Sequence, residues 1–186
     1  MSLILAVCLV AIVLGYATGG RLSGLADLPL RRIWLVWAAF LLQMVVAFLS
    51  DGAREVLRLP LVGMSFLLVM VWIVLQRRVL RPVLRTALLI VAIGWGMNLT
   101  VIALNNGMPV SAAALERVGL PSDDIESGDL NKHVEADEDA KLPWLGDVIP
   151  LPLFGTLRKA VSLGDLVMLV GLALFLPAAM RTEDRH

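Results

Sequence analysis

Four long apolar stretches, free of Asp, Glu, Lys and Arg, run from Met1 to Gly20, Ile33 to Ser50, Leu59 to Gln76 and Thr86 to Leu104, with charged residues between them. A helix needs roughly 20 apolar residues at 1.5 Å each to cross about 30 Å of hydrocarbon. The pattern therefore predicts four transmembrane helices within residues 1–104. A fifth stretch, Leu166–Met180, has 15 uncharged residues. It must recruit the turn from Ala160 to Asp165 to span, which gives a fifth helix over 161–181 and a short tail over 182–186. The expected fold class is an all-α polytopic membrane protein with five transmembrane helices.

Lysine and arginine in short loops set the orientation of such a chain. With the N-terminus outside, nine arginines (21, 31, 32, 77, 78, 81, 85, 181 and 185) fall inside, and the outer short loop holds Arg54 and Arg58. The bias predicts an N-out, C-in topology with a long outward loop over 105–160. The first stretch has no basic residue before it and no small-residue cleavage site, so it reads as a retained helix. A bacterial plasma membrane is the expected location.

Composition agrees with this reading. Of 186 residues, 59% are hydrophobic and 17% charged, with a mean hydropathy of +0.83. Soluble domains are about half apolar and a quarter charged. The net charge is +0, so no global field favours nucleic acid, and none is expected as a partner. Cys8 is the one cysteine, which excludes disulfide frameworks and cysteine-based zinc sites. No cofactor and no metal site are expected. The expected partners are the lipid bilayer and, through the outward loop, another membrane protein or a second copy of the chain.

Polar residues inside the spans are few. Gly15 and Gly19 form a GxxxG, open either to helix pairing or to the general abundance of glycine in membrane helices. Gln43 and Asn98 need hydrogen-bond partners in lipid, so both should face other helices. The spans carry no acid or base except the terminal Asp165, which argues against an ion pathway.

The outward loop has three parts. Asn105-Asn106-Gly107-Met108-Pro109-Val110 is a helix exit with turn chemistry. Residues 121–141 are acidic and polar, and His133 stands among carboxylates there without the glycine a calcium loop would need. The strip 142–160 is apolar, and its prolines forbid a long helix, which predicts an extended or re-entrant segment at the interface. Asp147 lies within that strip and Asp165 at the start of the last helix. If they converge, burial and like charge would raise one pKa and leave an acid beside a base. The competing reading makes Ser162-Leu163-Gly164-Asp165 a capping box and Asp147 a turn residue. Asp147 and Asp165 are the catalytic candidates, and Asn98, Asn105, Asn106 and His133 are candidates for positioning a substrate.

Three motifs, Asn106-Gly107-Met108-Pro109-Val110, Leu145-Gly146-Asp147-Val148-Ile149-Pro150 and Ser162-Leu163-Gly164-Asp165, together resemble an uncharacterised bacterial family of small polytopic membrane proteins. That resemblance implies a membrane location and no assigned activity. The last 40 residues are also similar to lipoprotein signal peptidase, a membrane-embedded aspartyl protease. Asp147 and Asp165 match its two aspartates in order, and Asn105-Asn106-Gly107 resembles its outward N-x-G. Ser162 and Gly164 depart from its final motif, and five spans replace four. This resemblance implies a membrane hydrolase acting at the outer leaflet. A non-enzymatic accessory or assembly subunit of a larger membrane complex is the alternative.

Overall fold

A computed structural model describes residues 3–49, 51–76, 78–105, 107–119, 133–135, 140–152 and 159–181. Seven α-helices appear among them: α1 (Leu3–Ala17), α2 (Leu22–Ala26), α3 (Trp34–Phe48), α4 (Asp51–Gln76), α5 (Pro82–Asn105), α6 (Ala112–Arg117) and α7 (Leu163–Met180). Short strands lie between α5 and α7: β1 (Met108–Val110), β2 (His133–Glu135), β3 (Ile149–Leu151) and β4 (Lys159–Val161), with a 3-10 turn over Pro143–Leu145. The chain forms two compact units, Val7–Ala92 with Leu169–His186, and Met1–Ala6 with Ile93–Met168.

Three helical segments are long and apolar enough to cross a membrane: Val56–Gln76, Pro82–Asn105 and Leu163–Met180. α1 and α3 are apolar but have 15 residues each, about 22 Å of helix. Their ends explain the difference from the five full-length spans the sequence predicts. α1 closes in a Schellman turn. Gly19 takes φ +82°, the Gly20 N–H donates to Gly15 O at 2.8 Å and the Gly19 N–H to Tyr16 O at 3.0 Å; this left-handed step favours glycine. α3 stops where Leu49 turns extended, at ψ 144°.

α4 departs in the other direction. It begins at Asp51 and contains Pro60, so Arg58 rides on a helix and not in the short loop expected before Leu59. A charge bounds the apolar stretch; it does not bound the helix, in which Arg58 is half-buried.

In the unit over 7–92 and 169–186, Leu35, Trp72, Ile73 and Ala92 form one buried cluster, and Leu80, Leu84 and Ala179 another. Gln43 on α3 donates from Nε2 to Ser65 Oγ on α4 at 2.7 Å, and Ser65 donates on to Val62 O at 2.8 Å. This is the interhelical partner expected for Gln43. The expected GxxxG face divides: Gly15 lies against Met180, where a Cβ would collide with its side chain, and Gly19 has open space around it. Two of the last carbonyls of α7 find donors, Met180 O from the Arg21 N–H at 2.8 Å and Ala178 O from the Arg81 guanidinium, which also donates to Arg181 O just past the helix. A cation there also opposes the negative end of the helix dipole.

Outward-facing positions stay apolar. Val10, Val13, Phe40, Leu41, Leu67, Ile93 and Leu174 are all exposed. A water-facing surface rarely carries so many large apolar side chains, whereas lipid accommodates them.

The unit over 1–6 and 93–168 contains the strands and corrects the all-α expectation. β1 pairs in parallel with β2, Met108 opposite His133. β3 pairs antiparallel with β4, Ile149 opposite Val161 and Leu151 opposite Lys159. Prolines at 109 and 150 are accommodated in three-residue ribbons, which lose little of the ladder to a missing N–H donor. Within the strip, Ile149–Leu151 and Lys159–Val161 are extended, and Pro143–Leu145 forms the 3-10 turn. β4 also corrects the start of the last helix: Ala160 and Val161 belong to a strand, and α7 begins at Leu163. Its 18 residues extend about 27 Å and recruit Leu163–Asp165, the second half of the turn the sequence calls for.

Candidate functional site

The unit over 1–6 and 93–168 holds the polar cluster that draws the two aspartates together. Its construction starts at β1. The Asp147 N–H donates to Pro109 O at 2.8 Å, and the Ser111 N–H donates to Asp147 O at 3.2 Å, a parallel bridge opposite Val110. Gly146 permits this approach, because a Cβ there would collide with Pro109 O. Leu145 anchors the same turn in a cluster with Val101 and Met108, against which Leu163 packs.

From Asp147 the chain enters β3, and the β3–β4 ribbon returns it. Ile149, two residues after Asp147, pairs with Val161, one residue before the Ser162 cap of α7. A separation of 18 residues in sequence is thereby closed, and Asp147 comes within electrostatic reach of Asp165 in the first turn of α7.

Asp165 is held by a closed ring of hydrogen bonds. Its N–H donates to Ser162 Oγ at 2.9 Å, Ser162 Oγ donates to Asn98 Oδ1 at 2.8 Å, and Asn98 Nδ2 donates to Asp165 Oδ1 at 2.8 Å. Ser162 and Asn98 are both buried. Half of the expected capping box is present, since Ser162 does cap α7. The Asp165 carboxylate, however, accepts from α5 across the helix pair. Close packing makes this reach available: a Cβ on Gly164 would collide with Asn98 Oδ1 and Gly94 O.

The environment of Asp147 favours its protonated form. Asp147 is 8% exposed. Burial pushes its pKa from 3.8 up to about 7, the charge of Asp165 pushes it further the same way, and Lys159 on β4 pulls it down. Desolvation penalises the charged form, and a nearby like charge adds to that penalty. Asp147 therefore keeps a proton to near neutral pH, beside Asp165, whose Oδ1 accepts from Asn98 Nδ2. Such a pairing offers one group to give a proton and another to take one.

Of the remaining candidates, only Asn105 has a described side chain. Asn105 commits both ends of its carboxamide to Lys141: Nδ2 donates to Lys141 O at 2.8 Å, and the Lys141 N–H donates to Oδ1 at 2.7 Å. It ties the end of α5 to the start of the apolar strip. His133 sits in β2 opposite Met108, with its side chain outside the described residues, as Asn106 is entirely. Among the described residues no three of His, Cys, Asp and Glu gather closely enough to hold a metal ion. Two participants escaped the sequence reading in these roles. Ser162 is recognisable as a cap but not as the bridge to Asn98, and Lys159 carries no sequence signal for the influence its charge has on Asp147.

No curated protein and no solved structure matches this chain. A family model matches residues 27–177, most of the chain, and the protein belongs to that family, the family of unknown function DUF5317.

Proposed function

We propose that this protein is a plasma-membrane hydrolase in which Asp147 and Asp165 activate water against an amide or ester at the outer leaflet. The observation that carries the reading is the placement of Asp147, a nearly buried carboxyl that the β3–β4 ribbon brings into electrostatic reach of Asp165 and whose pKa burial pushes up to about 7. Asp147 acts as the acid, and Asp165, oriented by Asn98 and Ser162, as the base. Positioned acid–base groups of this kind contribute about 10²–10⁴-fold each. The order of the two aspartates, similar to that in lipoprotein signal peptidase, supports the same chemistry. The arginine asymmetry of the short loops supports an N-out, five-pass arrangement that puts the pair on the outer side.

The test is complementation of a deletion strain by Asp147→Asn and Asp165→Asn, with membrane levels of each variant measured alongside. Both are expected to accumulate normally and to lose function, with at most about one hundredth of the wild-type rate remaining once a substrate is known. Full complementation by both would overturn the reading and favour an accessory or assembly subunit.

A further inference from the structure

Three arginines gather away from the aspartates, in the unit over 7–92 and 169–186. Arg31, Arg32 and Arg78, with Val74 and Leu75, line a groove of about 350 Å³. All three arginines are exposed, and no acidic residue lines the groove among the described residues. A second groove of about 370 Å³ shares Val74 and continues along Ile73, Pro82, Arg85, Thr86 and Leu89. A cationic recess thus opens beside a mainly apolar one.

The recess is built and not merely decorated. Gln76, fully buried at the end of α4, holds the Arg31 backbone from both sides: the Arg31 N–H donates to Oε1 at 3.1 Å, and Nε2 donates to Arg31 O at 2.8 Å. Arg32 takes φ +53°, a left-handed conformation that favours glycine. A long cationic side chain is therefore kept where the backbone would prefer none. Trp34 and Trp37 are exposed just beyond it, as aromatic side chains are at the boundary between lipid and water. Neutralising the C-terminus of α4 would account for some of this charge, but the helix end carries only about half a negative charge. Three arginines leave a positive excess.

We propose that this double groove is a binding site for an anionic phospholipid, with the phosphodiester on Arg31, Arg32 and Arg78 and an acyl chain along Ile73, Val74 and Leu89. Guanidinium groups bind phosphate oxygens through paired N–H donors, and basic recesses between membrane helices suit anionic headgroups. The apolar continuation distinguishes a lipid from a free phosphate ester, which would gain nothing from it. The proposal rests on membrane placement and is independent of the aspartate pair.

The full-length protein is extracted from membranes, exchanged into a neutral detergent and exposed to dioleoylphosphatidylglycerol, dioleoylphosphatidylcholine or water-soluble glycerol 3-phosphate. Bound molecules are counted by native mass spectrometry. Phosphatidylglycerol is expected to bind at least about tenfold more tightly than phosphatidylcholine, because one lipid is anionic and the other zwitterionic. Replacing Arg31, Arg32 and Arg78 together by Gln should abolish that preference. Arg32→Gly separates binding from folding, since it relieves the left-handed strain. It should weaken phosphatidylglycerol binding about threefold, the effect of losing one of several charge-assisted contacts, with the melting temperature not lowered. Equal retention of both lipids, or a triple variant that keeps the preference, would overturn the site. Glycerol 3-phosphate binding as tightly as the lipid would overturn its assignment to a lipid. A chain recovered in the aqueous fraction would overturn membrane placement and the groove with it, whereas a membrane-bound chain indifferent to lipid charge overturns the groove alone.

Discussion

Replacing Asp147 with asparagine is expected to stabilise the protein at pH 8 and to change its stability little at pH 4. The folded pKa of about 7 stands above the ordinary 3.8, so between these values the folded chain binds a proton that the unfolded chain has released. Stability must fall as pH rises through that window and level off above it. At about 1.4 kcal/mol for each tenfold change in proton affinity, the full difference is on the order of 4 kcal/mol. Asparagine has no proton to lose, so the variant lacks this slope. Its amide must still find partners in a buried place, which offsets part of the gain. A rise in melting temperature of about 5 °C at pH 8 follows for a chain of this size. Thermal unfolding in detergent from pH 4 to pH 8 checks it, and parallel pH profiles for the two proteins would refute the raised pKa.

Gly164→Ala is expected to destabilise the unit around the site, although alanine is the better helix former. Its Cβ would meet Asn98 Oδ1 and the Gly94 carbonyl, the second of which is backbone that cannot rotate away. Overpacking of this kind costs about 1–3 kcal/mol. The cost falls on the function as well, because the displaced Asn98 is the residue that donates to Asp165. Gly63→Ala, inside α4 with nothing within 4 Å of its added Cβ, is the matched control. It should stabilise by up to about 1 kcal/mol, the difference in helix propensity. Opposite signs for the same substitution separate packing from propensity. Thermal unfolding of the two variants decides the matter, and equal tolerance of both would contradict the close α5–α7 approach at Gly164.

The apolar stretches were legible because runs of uncharged residues are a local signal, and the three helical segments long enough to cross a membrane all coincide with them. The ends of the helices were less so. α4 continues to Asp51 through Arg58 and Pro60, which charge and proline argue against when read alone. α1 stops short because Gly19 adopts a left-handed turn, and a glycine in a membrane stretch has other uses. The aspartates were legible as residues out of place, one in an apolar strip and one opening a helix. Their convergence was not. It depends on three-residue strands with prolines in them and on the pairing of Ile149 with Val161, and segments so short carry no periodic signal. Nor does anything in the spacing connect Ser162 to Asn98, 64 residues earlier. Turn glycines mark where the chain can approach itself closely, as Gly146 does at Pro109, without naming the partner.

Electrostatic coupling between Asp147 and Asp165 is read out by titrating Asp147 with carbon-13 NMR of selectively labelled aspartate carboxyls. The purified protein is compared with Asp165→Asn over pH 3 to 9. The expected midpoint for Asp147 is near 7, with a lower one in the variant, where burial remains but the neighbouring carboxylate is gone. A midpoint close to 4 in both proteins would contradict it.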